Sequence, residues 1–168
     1  MTYRDALLLA ILLDPPEDVP RGAFADCIQE DGDDDFAAFI RAGITAAKYR
    51  HETVIDAQEY YDALRDINRV CEAGHPAEWI ADIGVVSAAI ETGNWGWSNT
   101  LDRVAVRIGK ALGVYIRGML SELTVTLGEW SAIAERALTR RPIERVNMSD
   151  VPGLSLTTHP RTSVNADW

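Results

Sequence analysis

Four groups of residues in this chain are of types that could do chemistry. The first is the acidic run EDGDDD at 30–35. Carboxylates at this density invite a calcium reading, which requires alternating oxygen ligands, a central glycine and a bidentate glutamate at the twelfth loop position. Here the glycine comes too early and no acid stands at the required distance. A helix stop at Gly32 followed by an N-cap at Asp33 accounts for the run without a metal. The second group is His51, His75 and His159. None has another histidine three to five residues away, so the short-range zinc spacings are missing. His51 reads as a solvated residue at a helix end and His75, ahead of Pro76, as a turn residue. The third is Cys27 and Cys71, the only cysteines, each on an apolar face. They read as two buried, reduced thiols. A disulfide between them would suit a secreted setting that nothing else indicates. The fourth is Asn94, Trp95 and Trp97 in the polar, glycine-rich stretch 91–99, a loop by composition. Aromatic rings on such a loop can stack on a sugar, a base or a partner side chain. The bland alternative is that both rings fold back and plug the junction between the two halves of the chain. There is no G-x-S-x-G elbow, no glycine-rich phosphate loop and no S-x-x-K motif. No catalytic residue, metal or cofactor is assigned.

The elements that would position these residues are punctuated most densely at 7–41. Thr2 and Asp5 form a capping-box pair ahead of the apolar run 6–13, which reads as a helix buried on most sides. Asp14-Pro15-Pro16 ends it. Asp18 is placed to cap a second helix, with Pro20 in its first turn and Ala23, Phe24, Cys27 and Ile28 on one stripe. Asp33 opens a third helix, with Asp34 and Asp35 facing the positive end of its dipole and Phe36, Phe39 and Ile40 inward. It runs on towards Tyr49 despite Gly43, which costs about 1 kcal/mol in a helix interior. Thr53 and Asp56 make a second capping-box pair, and the face Tyr60, Tyr61, Leu64, Ile67, Asn68 and Cys71 follows, closed by Gly74. Pro76 opens a short helix carrying Trp79 and Ile80.

Beyond Gly84 the character changes. The run 85–90 fits a strand or a buried helix equally. Residues 104–108 lean towards a strand, and 114–116 and 120–127 read as strands. The segment 128–141 is an amphipathic helix with Trp130, Ile133 and Leu138 inward, and 143–148 is a further strand. Strand, crossover helix and strand at this length indicate a βαβ unit with parallel strands. The tail 153–168 reads as a final short strand or an extended arm.

Two stretches carry a family resemblance. Asp18, Pro20, Arg21, Phe24, Ala25, Asp26, Ile28, Glu30, Gly32 and Asp33, followed by Phe39, Ile40 and Arg41, resemble the N-terminal helical module of planctomycete and myxobacterial proteins called the repeat-companion domain. Cys27 stands where that family usually has tryptophan, Phe24 where it has tyrosine and Gly22 where it has leucine. A smaller residue at 27 implies a repacked local core. Arg117, Gly118, Leu120, Trp130, Pro142, Ile143, Val146, Met148, Ser149 and Asp150 resemble the leucine-rich-repeat-like unit of the same group, with Met119 in place of phenylalanine. The matches cover less than half of the chain and leave 52–112 unplaced. The resemblance implies architecture: the family carries no established activity, and its members are often joined to leucine-rich-like repeats.

At 168 residues the chain is one domain, or one with a small appendage, and 47% apolar content suffices for a core. We divide it into a repeat-companion-like helical cap at 1–50, a helical segment at 51–84, a β-rich repeat-like unit at 85–152 and a C-terminal tail at 153–168. The fold expected is α+β, a helical N-terminal half packed on a small, partly parallel C-terminal sheet. One repeat-like unit buries only part of its face, so the helical half serves as its neighbour or a sheet edge stays open. A formal net charge of −10 repels phosphate backbones and anionic lipid, which speaks against nucleic-acid and membrane partners. No charged n-region or cleavage site flanks the first apolar run, so no signal peptide is expected and the cytoplasm is the expected location. Asp18, Arg21 and Asp26 are either a shared recognition surface or a helix cap plus an Arg21–Asp26 ion pair. The function expected is a non-catalytic protein–protein interaction or assembly module, a free partner or one subunit of a larger assembly, whose acidic surface favours a basic patch. The alternative is a small-ligand binder, for example of carbohydrate, or a small enzyme using the Trp95–Trp97 loop.

Overall fold

A computed structural model describes residues 1–85, 95–97 and 103–158, with the backbone alone at 95–97. Five helices come first: α1 (Tyr3–Leu13), α2 (Val19–Glu30), α3 (Asp34–Lys48), α4 (Gln58–Glu72) and α5 (His75–Asp82). A mixed six-stranded sheet follows, with its strands in sequence order: β1 (Trp95–Trp97), β2 (Arg103–Ile108), β3 (Ala111–Ile116), β4 (Met119–Val125), β5 (Arg145–Met148) and β6 (Ser155–Thr157). The sixth helix, α6 (Leu127–Arg140), crosses from β4 to β5, and these two strands are parallel while the other neighbours are antiparallel. The fold is α+β, and the βαβ unit stands where the strand–helix–strand pattern puts it.

The helix starts follow local chemistry. Thr2 and Asp5 bond each other's backbone N–H as a capping box. Gly32, at φ 93°, ends α2, and the Asp33 carboxylate accepts from the Phe36 N–H at 3.1 Å to open α3. At α6, Thr126 and Glu129 form a second capping box, and the Asp150 carboxylate accepts from the Leu127 N–H at 2.8 Å. Asp150 therefore ties the chain after β5 to the helix that precedes it.

The core is continuous from helices to sheet. Phe36 and Phe39 of α3 surround Trp79 of α5, and Phe39 meets the Tyr115 ring of β3 edge-on at 5.5 Å. Tyr115 is fully buried and donates its hydroxyl to the Pro76 carbonyl at 2.7 Å. The β3–β4 turn is equally tied to the helices. Arg117 and Gly118 both adopt positive φ, 50° and 75°, the conformation of a two-residue hairpin. The turn presses on α3 so closely that a Cβ on Gly43 would collide with the Arg117 and Gly118 backbone, and one on Gly118 with Ile40. The helix-weakening glycine at 43 is thus explained by backbone approach.

Several expectations are corrected. Helix α1 buries only Leu8 and Ile11; Leu9 and Leu13 are 41% and 53% exposed, because α1 lies at the margin of the helical layer rather than within it. Asp18 makes no capping bond. Its carboxylate instead accepts from Arg117 Nη1 at 2.8 Å, since a charged hydrogen bond to the β3–β4 turn outcompetes a local cap. Arg21 does not pair with Asp26. It is 1% exposed and donates to the Pro15 and Glu17 carbonyls, folding the proline-rich link back on α2. Asp26 pairs with Arg41 of α3 at 2.6 Å. Helix α4 begins after Ala57 with no side-chain cap, leaving Thr53 and Asp56 in the preceding loop, and Tyr61 is half-exposed while Tyr60, Ala63, Ile67 and Val70 face inward. Leu138 is exposed and Ala137 buried, since the 3.6-residue period from Trp130 and Ile133 falls on 137. Strand β4 ends at Val125, and Leu127 already belongs to α6. Cys71 is buried but Cys27 only half so, and both are free. Among the described residues no helix is long and apolar enough to cross a membrane.

Candidate functional site

The residues with chemical potential are distributed unevenly. Residues 1–85 carry 18 of the 26 acidic side chains and only 7 of the 16 basic ones, so the negative charge belongs to the helical half. Two of its helices turn that charge into a shaped surface. Along α4, Glu59, Asp62 and Asp66 recur at helical spacing on one face. They form one wall of a groove against α3, about 400 Å³ in volume, whose floor consists of Ala38, Ala42 and Ala63. Small side chains here let the two helices approach closely and leave room above the floor. Arg41 stands on the opposite rim, held by Asp26 and by Gln29 at 2.8 Å.

Glu59 accepts from the Tyr49 hydroxyl and Asp62 from Gln58 Nε2 at 2.9 Å, but the cations that pair with the wall acids are loosely held there. Lys48 lies 4.0 Å from Glu59, Arg65 is 3.1 Å from Asp62 and Arg69 is 3.9 Å from Asp66. All six side chains are at least half exposed, and such pairs contribute about 0–1 kcal/mol. They can exchange their cations for a partner's at little cost.

At the far end of α3 a second polar cluster forms. Asp35 accepts from Arg69 Nη1 at 2.5 Å and faces His75 Nε2 at 3.2 Å, while His75 Nδ1 is 2.8 Å from Glu78. The imidazole stacks on Trp79 with ring centroids 6.1 Å apart. The hydrogen bond from Arg69 holds the Asp35 carboxyl below its ordinary pKa. A histidine between two carboxylates resembles a general-base arrangement, yet both ring nitrogens are already engaged. The cluster ties α3, α4 and α5 together and leaves no nitrogen to take a substrate's proton.

The residues singled out in the sequence fall into separate places. Asp18 and Arg117 meet across the fold, and Arg117 also donates to the Pro16 carbonyl. Arg21 clasps the same link from within, and Pro20 sits in the first turn of α2. Gly32 and Asp33 form the α2–α3 junction, Asp26 the α2–α3 ion pair. Trp130 and Pro142 are buried around α6 and its exit, and Asp150 caps that helix. Each of these holds elements together. Trp95 and Trp97 lie on strand β1, in register with the buried Val106 and Val104, so this segment is a sheet edge and not a loop. Asn94, residues 86–90, His159 and the tail from 159 onward lie outside the described residues. Among the described residues no group of three or more His, Cys, Asp or Glu side chains is placed to hold a metal ion. The α3–α4 groove went unread in the sequence. Its signal was there in the i, i+3, i+7 acids of α4 and the alanines of α3, but only the packing shows that they face one another.

Comparison with family models, with curated proteins and with solved structures finds no match to this chain.

Proposed function

We propose that this protein is a non-catalytic interaction module that receives a basic segment of a partner protein in the groove between α3 and α4. The observation that carries the reading is the combination of an alanine floor with the acidic wall Glu59, Asp62 and Asp66. A partner strand or helix bearing lysines or arginines on one side and small apolar residues on the other complements both features. The resemblance to the repeat-companion module supports the same reading, since that module accompanies repeats and carries no established chemistry. Two free thiols suit a reducing compartment, and we place the module in the cytoplasm.

The test compares two baits in affinity capture from the native cell: the wild-type chain and a variant carrying Asp62→Lys and Asp66→Lys. A protein retained by the wild type and lost from the variant, and whose binding weakens as salt rises, is the expected result. Partners recovered equally by both baits would place the interaction elsewhere. Retention of no protein by either bait would overturn the module reading.

A further inference from the structure

A second concavity, independent of the α3–α4 groove, lies where α1, the α2–α3 junction, α5 and the end of α6 converge. It encloses about 540 Å³. Three arginines reach it: Arg4, Arg140 and Arg141. The first two are rim residues with carboxylate partners. Arg4 is 3.6 Å from Asp31 and Arg140 is 3.0 Å from Asp82, and all four side chains are well exposed. These pairs cancel at the mouth. Asp33, also on the rim, spends one carboxylate oxygen on its helix cap.

Arg141 is different. It is 5% exposed and has no carboxylate partner among the described residues. Among them it makes a single hydrogen bond, from Nη1 to the Arg140 carbonyl at 3.2 Å, and Nε has no partner there. The guanidinium lies 5.0 Å over the Phe36 ring, and Trp79 lines the same cavity. Burial pulls its pKa below the ordinary guanidinium value. A guanidinium carries five N–H donors, and a buried cation without an anion is among the costliest arrangements a fold can retain. The other buried arginine, Arg21, also leaves Nε unpartnered, but its Nη1 donates to two backbone carbonyls of the α1–α2 link and so closes that link. Arg141 has no comparable task. Its side chain lines the aromatic-walled cavity with one hydrogen bond made and Nε unpartnered among the described residues.

We infer that this cavity binds a small molecule through an oxyanion group, a carboxylate or a phosphate, held by the fork of Arg141, with the body of the ligand against Trp79. A planar fork is suited to either oxyanion, and the aromatic wall favours a flat or apolar body.

The test uses the full chain and two probes, sodium benzoate for the carboxylate and sodium phosphate for the free anion, against sodium chloride at matched ionic strength. A probe that binds the folded chain at Arg141 raises the thermal midpoint by about 3–6 °C at roughly tenfold its dissociation constant. Arg141→Met, which keeps length and removes charge, abolishes that rise. Benzoate acting alone assigns a carboxylate ligand, phosphate alone a phosphate ligand, and both the shared oxyanion chemistry. Should Arg141→Met fail to fold, the wild-type Arg141 Nε–H resonance, assigned by its loss in Arg141→Lys, reads the same event as a shift on titration. The inference is overturned by a midpoint that neither probe moves beyond chloride, by an unchanged response in Arg141→Met, or by an Arg141 resonance that stays still.

Discussion

At the scale of single residues, two of the glycines inside helices, Gly43 and Gly22, make opposite predictions. Gly43 has the β3–β4 turn backbone against it, and neither that turn nor α3 can retreat without moving the other. Gly43→Ala should therefore lower stability by about 1–3 kcal/mol, read from the urea midpoint at constant slope. Gly22 sits in α2 with open space around its Cα. Gly22→Ala should stabilise by roughly 0.5–1 kcal/mol, because only the chain's backbone freedom changes. Sequence inspection ranks both as helix-weakening and cannot separate them, since the difference lies in a contact more than seventy residues away along the chain. The cysteines divide in the same manner. Burial pushes the Cys71 thiol up to about 12 from the ordinary 9.0. An acid whose folded value is raised contributes stability that is complete below its unfolded value and fades as pH rises towards the folded one. Stability should accordingly fall between pH 9 and 12, less so in Cys71→Ala after correction for the cavity that variant leaves. In native protein at pH 8 a thiol reagent should label half-exposed Cys27 quickly and Cys71 only as fast as the chain opens. Equal rates at the two sites would contradict the packing around α4.

At the scale of elements, the helices were legible where their ends are local. Thr2–Asp5, Gly32–Asp33 and the Pro76 start each use residues within a few positions of one another, so the pattern in the chain is also the contact in space. Legibility failed where a side chain had a distant competitor. Asp18 has the composition and position of a cap, but Arg117 is 99 residues away and takes its carboxylate. At α4, Thr53 and Asp56 satisfy the spacing rule of a capping box without lying at the helix entrance, which falls at Ala57. Strand β1 was hidden by its glycine and polar neighbours, and what makes it a strand is its pairing with β2. The candidate sites were less legible than the fold, because each is assembled from helices that share no motif. Asp150 tests the reverse situation, a residue that follows a strand in the sequence and acts at the start of a helix. Removing its carboxylate leaves the Leu127 N–H without that acceptor. Asp150→Ala should cost about 0.5–2 kcal/mol in chemical denaturation, and Asp150→Asn, which retains an acceptor oxygen, should recover most of it. A full loss in the asparagine variant would mean that the charge beside the helix dipole matters more than the bond.

At the scale of the whole molecule, the helical half and the sheet do not own separate cores. Trp79 belongs to α5, yet its neighbours include Tyr115 of β3, and Tyr115 in turn bonds the Pro76 carbonyl at the start of α5. Phe39 bridges the same two layers, Ile80 packs where Gly113 leaves no side chain, and the Arg117–Gly118 turn is pinned to α3 and to the α1–α2 link. Splitting the chain after residue 85 would expose Phe39, Trp79 and Ile80 on one piece and Tyr115 on the other. A chain built this way should unfold in one cooperative step, with tryptophan fluorescence and far-ultraviolet circular dichroism tracing the same urea transition. Residues 1–85 expressed alone should keep some helix, because their caps are local, but should lack a sharp transition and expose apolar surface to a dye. Two separated transitions in the full chain, or cooperative unfolding of the fragment, would show that the helical layer is stable without the sheet. The acidic groove would then be a property of an autonomous helical domain. In the opposite outcome the groove exists only when the sheet is folded beneath it, and any loss of the sheet abolishes partner binding at a distance.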